Sequence, residues 1–151
     1  MLGKTDHVAV QNLMDIYIKR AQSYVTVEPV VIPDIKNTKN ITEAQQKLKE
    51  GTAILKHINT SDFVVLLDEK GREYTSKQFA DFLQKKMISG IKQLVFVIGG
   101  PYGFSEAVYS RSNHKIALSQ MTFSHQLVRA IFTEQLYRGF AILNNHPYHH
   151  E

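Results

Sequence analysis

Apolar residues recur at helical spacing over residues 8–24, where Val10, Leu13, Met14, Tyr17, Ala21 and Tyr24 mark one face of a first helix. Residues 25–32 alternate towards Pro33 and predict a strand. A polar loop, DIKNTKN, leads to Thr42 and Gln45, a capping-box pair that opens a second helix running to about residue 57. Residues 63–67 form a continuous apolar run ending in Asp68, as expected of a strand buried on both faces, and EKGR after it predicts a turn. Thr75 and Gln78 repeat the capping box before a third helix that carries Phe79, Phe82, Leu83 and Met87 on one side and closes at Gly90. Residues 94–98 predict a second buried strand, running into Gly99-Gly100-Pro101-Tyr102-Gly103. A short helix over 105–110, a strand over 115–118 and a long helix from near Ser124 to about Leu143 complete the pattern.

Strands alternating with helices, two of them apolar throughout, predict an α/β fold: a mostly parallel sheet with helices on both faces. Ligands of such sheets sit at the carboxyl ends of the strands. That rule selects the positions after Leu67, Ile98 and Leu118. No repeat, low-complexity stretch or linker interrupts the chain, and 151 residues suit one domain spanning 1–151.

Composition then removes several kinds of chemistry. The chain has no cysteine, which excludes disulfides, thiolate zinc sites, iron–sulfur clusters and cysteine nucleophiles. Hydrophobic residues at 43% and charged residues at 21% are a globular balance. Lys+Arg 18 against Asp+Glu 14 gives a net charge of +4, which permits an anionic partner such as nucleic acid and equally fits a solvated surface with a slight excess of lysine. No apolar run approaches the roughly 20 residues of a membrane span. The start, MLGKTDHVAV, has no signal-peptide core, so a cytoplasmic location without membrane contact is expected.

Four segments carry candidate chemistry. Gly99 and Gly100 let a backbone approach a ligand that a Cβ would block, although the loop matches neither a GxGxxG nor a Walker A pattern and also serves as a plain strand-to-helix turn. Residues 119–125 precede the long helix, whose exposed amides and dipole favour a carboxylate, a phosphate or an adenine acceptor; the simpler reading makes Ser124 an N-cap and Met121 and Phe123 core. His146, His149 and His150 crowd the last six residues. The adjacent His149 and His150 point poorly at one ion and no carboxylate pair completes a set, so no metal is expected; the tail lies over an active site or is a solvated terminus. Arg129, Glu134 and Arg138 form a salt-bridge face or hold an anion, but the two arginines are too far apart along the helix to share one phosphate unless a second chain or the tail helps. There is no HExxH and no Ser-His-Asp logic.

The strings FVIGGPYG (96–103), MTFSHQLVR (121–129), EQLYR (134–138) and NNHPYHHE (144–151), in this order and spacing, resemble the ribosomal RNA large subunit methyltransferase H family of the SPOUT superfamily. The similarity extends through VVLLDEKG (64–71) back to GKT at 3–5 and so covers nearly the whole chain. The resemblance implies a homodimeric enzyme with a C-terminal trefoil knot. It also implies transfer of a methyl group from S-adenosylmethionine to N3 of a pseudouridine in large-subunit ribosomal RNA of the assembled ribosome. Carried over by position, Leu67, Gly99, Leu118, Ser119, Gln120, Met121, Thr122 and Phe123 would hold the cofactor. His125, Arg138, Tyr148 and His149 match positions near the reacting base, with His149 as the base, Tyr148 packing on the uracil ring and Arg138 holding a phosphate or carbonyl. The family has a full strand before GKT where Met1 and Leu2 stand here, so either the chain start is misassigned or trimmed, or an edge of the sheet is reduced. A non-catalytic ribosome-binding factor on the same fold, or a methyltransferase acting on transfer RNA, are the competing readings.

Overall fold

The computed structural model describes residues 1–35 and 41–148. Its elements are α1 (Val8–Ala21), α2 (Glu43–Leu55), β1 (Phe63–Glu73), α3 (Ser76–Ile88), β2 (Leu94–Ile98), α4 (Glu106–Arg111), β3 (His114–Ala117) and α5 (Leu127–Leu143). Both capping boxes form. Thr42 Oγ1 accepts from the Gln45 amide at 3.2 Å while Gln45 Oε1 accepts from the Thr42 amide at 3.0 Å, and Thr75 with Gln78 repeats the geometry. These bonds place the starts of α2 and α3 where the sequence puts them.

The three strands are parallel, in the order β2-β1-β3. Phe63 to Leu67 register with Leu94 to Ile98 on one side, and Val65 to Leu67 with His114 to Ile116 on the other. Alternation along β1 feeds two cores. Val64 and Leu66 join Ile54, Val97, Phe104 and Val108 beneath α2 and α4, whereas Val65 joins Phe79, Leu83, Ile98, Phe132, Leu136 and Phe140 beneath α3 and α5. Helices therefore cover both faces, and α1 packs on the outside of α5.

Two expectations are corrected. Residues 25–32 form no strand: their sheet pairing is one parallel bridge, Ile32 to Leu2. The Ile32 amide donates to Met1 O and the Gly3 amide to Ile32 O, both at 2.8 Å, and the Leu2 amide donates to Ile98 O at 3.1 Å. Pro29 and Pro33 carry no amide donor, which limits the ladder on this side. Residues 69–72 are not a turn between elements but lie within β1. Leu67 and Arg72 both register with Ile116, and the residues between them bulge out of the ladder, with the Lys70 amide bound to Asp68 Oδ1 at 2.8 Å.

Arg129 does not share a salt-bridge face with Glu134. It is wholly buried and donates to Leu2 O at 2.5 Å, Gly3 O at 3.0 Å and Thr5 Oγ1 at 2.9 Å, which clamps the first residues to the start of α5. At its other end α5 stops at Asn145, which takes the left-handed conformation (φ 53°), and the His146 amide returns to Ala141 O at 2.9 Å.

Candidate active site

The bulge of β1 after Leu67 and the carboxyl ends of β2 and β3 open into one cleft of about 540 Å³. Leu67 and Asp68 reach it from β1, Gly99 and the turn after it from β2, and Leu118 and Ser119 from β3; Met121, Thr122, Phe123 and His125 close it on the side of α5. Seven of the eight positions expected to hold a cofactor thus line a single space. The eighth, Gln120, turns away, its Nε2 lying 3.3 Å from Glu73 Oε2.

The segment before α5 is both a cap and a wall. Ser124 Oγ accepts from the Leu127 amide at 3.2 Å, as the capping reading requires. Met121 is not core, however, being 75% exposed at the mouth of the cleft. The glycine loop is explained first by its own packing. A Cβ on Gly99 would stand 2.9 Å from the Phe104 ring, and one on Gly100 would stand 2.9 Å from both Glu50 Oε2 and Leu2 Cδ2. Gly103 has φ 75° and donates to Gly100 O at 3.2 Å, closing a tight turn around Pro101 and Tyr102.

Sequence reasoning missed a polar pair in the cleft. Tyr109 Oη donates to Asp68 Oδ2 at 2.5 Å, so both carboxylate oxygens of Asp68 are engaged. Burial, reinforced by the hydrogen bond to Asp68 and its charge, pushes the Tyr109 phenol up to about 12. The result is a fixed carboxylate at the bulge of β1, held by a phenol that stays protonated. Asp68 was visible as the residue ending an apolar run, but nothing in the sequence of α4 joined Tyr109 to it.

Arg138 and Tyr148 do not line the cleft. They form a second group on the outer side of α5, around Glu134. Glu134 Oε1 accepts from Arg138 Nε at 2.9 Å, Arg138 Nη2 at 2.5 Å and Tyr148 Oη at 3.0 Å. The Arg138 guanidinium lies 4.8 Å from the Tyr148 ring centroid, and that ring stands 4.7 Å from Tyr137. Burial and the hydrogen bonds with Tyr17 and Glu134 hold the Tyr148 phenol far above its ordinary range, so it donates a hydrogen bond rather than acting as a base. Val128 touches the cleft, and ten residues of helix separate it from Arg138, about 15 Å along the axis. His149 lies outside the described residues.

Among the described residues no group of three His, Asp or Glu side chains is placed to hold a metal ion, and no helix is long and apolar enough to cross a membrane. A parallel sheet with a ligand-sized cleft at strand carboxyl ends is the arrangement in which α/β proteins commonly bind small ligands. The family model described as "Predicted SPOUT methyltransferase" matches residues 1–149, and the chain belongs to that family of methyltransferases. It is 59% identical to the ribosomal RNA large subunit methyltransferase H of Flavobacterium psychrophilum, over 99% of this chain and 96% of the relative. It is 58% identical to the proteins of the same name in Christiangramia forsetii, over 99% of this chain and 95% of the relative, and in Parabacteroides distasonis, over 100% and 96%.

Proposed function

We propose that this chain methylates N3 of a pseudouridine in large-subunit (23S) ribosomal RNA, using S-adenosylmethionine, as a cytoplasmic homodimer acting on the assembled ribosome. The observation that carries the reading is the convergence of Leu67, Gly99, Leu118 and residues 119–123, apart from Gln120, on one cleft whose volume suits a nucleoside-sized cofactor. The names of the curated relatives supply the substrate class. One domain over 1–151, with the trefoil knot that the resemblance implies, is part of the same proposal.

The residues present fit the cofactor. Main-chain groups at three strand ends and the small side chains of Ser119 and Thr122 suit an adenine and a methionyl backbone, and Asp68 offers a carboxylate to hydroxyl or ammonium donors. S-adenosylmethionine supplies an already activated, sulfonium-bound methyl group. The protein then has to align N3 with that methyl and accept the N3 proton. His149 is our candidate for the proton acceptor, with His125 at the cleft wall as the second imidazole within the site. Arg138 and Tyr148 orient the base and its phosphate.

The second copy follows from the separation along α5. A chain that holds the cofactor at one end of that helix and Arg138 and Tyr148 some 15 Å away along it brings them together when a partner's tail covers its cleft. The exposed apolar side chains of Leu13 and Ile16 on α1 and Leu127 on α5 support such an interface.

Calorimetry with S-adenosylmethionine tests the cleft, and no binding at millimolar ligand sinks the enzyme reading. Mass mapping of ribosomal RNA from a strain lacking the protein tests the target. Survival of every N3-methylated pseudouridine removes the proposed substrate and leaves transfer RNA as the next acceptor to assay.

A further inference from the structure

We propose that Arg20, which lies over the rings of Tyr17 and Tyr137, is a contact for an RNA phosphate beside the Arg138–Tyr148 group. The inference rests on the RNA-methyltransferase reading. Arg20 ends the last turn of α1 and is exposed. Its guanidinium carbon lies 5.5 Å from the Tyr17 ring centroid and 5.8 Å from that of Tyr137, and the two rings are 6.1 Å apart. Among the described residues no carboxylate pairs with Arg20 and no oxygen accepts from it, so its contacts are these two rings.

The other arginines differ in what they already hold or where they stand. Arg129 is used up on the N-terminal carbonyls, Arg138 on Glu134, and Arg111 on the carbonyls of Asn59 and Asp62. Arg72 also stacks on a ring, that of Tyr74, whose hydroxyl bonds to His114 at the β3 side of the sheet. Arg20 alone of the two adjoins the residues expected at the reacting base: Tyr17 Oη is 3.4 Å from Tyr148 Oη, and the Tyr137 ring contacts both Arg20 and the tilted ring of Tyr148.

The two rings confine the guanidinium while leaving its N–H fork unspent. That is the state of an arginine ready for bidentate phosphate binding, because little side-chain freedom remains to be lost. Arginine beside aromatic rings is also the surface chemistry that single-stranded or looped RNA recruits. The competing explanation is that Lys19 and Arg20 simply answer the carboxyl-end dipole of α1. That role changes stability and leaves RNA affinity alone.

The two are separated by comparing Arg20→Ala and Arg20→Lys with the unaltered protein on ribosomes from a strain that lacks it. The readouts are KM for ribosomes across a series of KCl concentrations, S-adenosylmethionine affinity by calorimetry, and sedimentation. One phosphate contact contributes a salt slope of about 0.7–0.9, which at 0.15 M salt is roughly a four- to five-fold affinity term. Arg20→Ala is expected to raise KM by that factor and flatten the slope by just under one, with cofactor affinity and oligomeric state unchanged. Arg20→Lys should keep the slope and recover part of the affinity. An unchanged KM and slope overturns the contact, whatever happens to the melting temperature. A shift to smaller species on sedimentation also overturns it, because Arg20 is then a subunit contact. If the unaltered protein methylates no ribosomal RNA, the parent reading fails, and that result is distinguishable from a normal enzyme indifferent to Arg20.

Discussion

Replacing Arg129 by methionine tests how the cleft is anchored to the rest of the chain. Methionine keeps much of the length and volume, so the change strips hydrogen bonds with little new cavity. Two main-chain carbonyls, Leu2 O and Gly3 O, and the Thr5 hydroxyl lose their donors. An orphaned buried carbonyl costs about 1–3 kcal/mol, so the pair amounts to about 2–6 kcal/mol. Removing the guanidinium returns part of this, since burial opposes its charge and its Nε already lacks a partner. The expected net loss is about 2–4 kcal/mol. With a urea slope near 2 kcal/mol/M, the unfolding midpoint falls by about 1–2 M at a fixed protein concentration. Gln126 reinforces the same clamp, its Nε2 donating to Lys4 O at 3.0 Å and its Oε1 accepting from the Asp6 amide at 3.1 Å. Amide exchange should therefore accelerate together in residues 2–6 and in the 122–126 segment that carries His125. A midpoint shift below about 0.5 M with an unchanged slope would refute the clamp, because the freed carbonyls would then have found other donors.

Three further outcomes are expected. Gly99→Val forces a side chain against Phe104 and should cost about 1–3 kcal/mol of stability and abolish measurable binding of S-adenosylmethionine; intact binding by calorimetry would misplace the pocket. Tyr109 ionises near pH 12 when folded against about 10 when unfolded, so its contribution to stability is complete below pH 10 and lost as pH rises from there through 12. In Asp68→Asn the Tyr109 step in the absorbance titration at 295 nm, identified by its loss in Tyr109→Phe, should move back towards 10; a step that stays near 12 means burial alone sets it. Mixing Gly99→Val with Arg138→Ala protein, each inactive alone, should restore roughly a quarter of normal turnover if each site takes its tail from the partner copy. Continued inactivity of subunits shown to exchange argues for sites completed within one chain.

What the sequence disclosed follows the range of the forces involved. Capping boxes act over three residues, and Thr42 and Thr75 place their helices correctly. Strands buried on both faces are legible because every position of 94–98 must be apolar. Residues 25–32 alternate like a strand, but their pairing depends on Leu2, thirty residues away, and no local pattern reports a partner at that distance. Glu134 and Arg138 stand four apart and form the pair their spacing predicts. Arg129 and Glu134 stand five apart and share no face, so assigning them to one salt-bridge row was a misreading of period. In the cleft the strand-end rule found Leu67, Gly99 and Leu118, whereas the bond between Asp68 and Tyr109 spans 41 positions and belongs to the packing of α4 on the sheet.

The division of labour along α5 has a physical basis. On the proposed reading, cofactor recognition would use main-chain groups along the strand edge, which the sheet holds rigidly and which need no mobile side chains. Cationic and aromatic groups that meet a large polyanion must stay near solvent, and here Arg138, Tyr148 and Arg20 occupy the outer surface where α1 crosses α5. One small sheet cannot place both sets around the same point, because the width of α5 lies between them. In the proposed homodimer a two-fold partner would resolve the conflict without added residues: each copy would keep its rigid cleft and lend its outer surface to the other. On that arrangement Glu134 is more than a surface salt-bridge partner. By accepting from Arg138 and Tyr148 at a single oxygen it holds both in one orientation, and that orientation is what the neighbouring cleft receives.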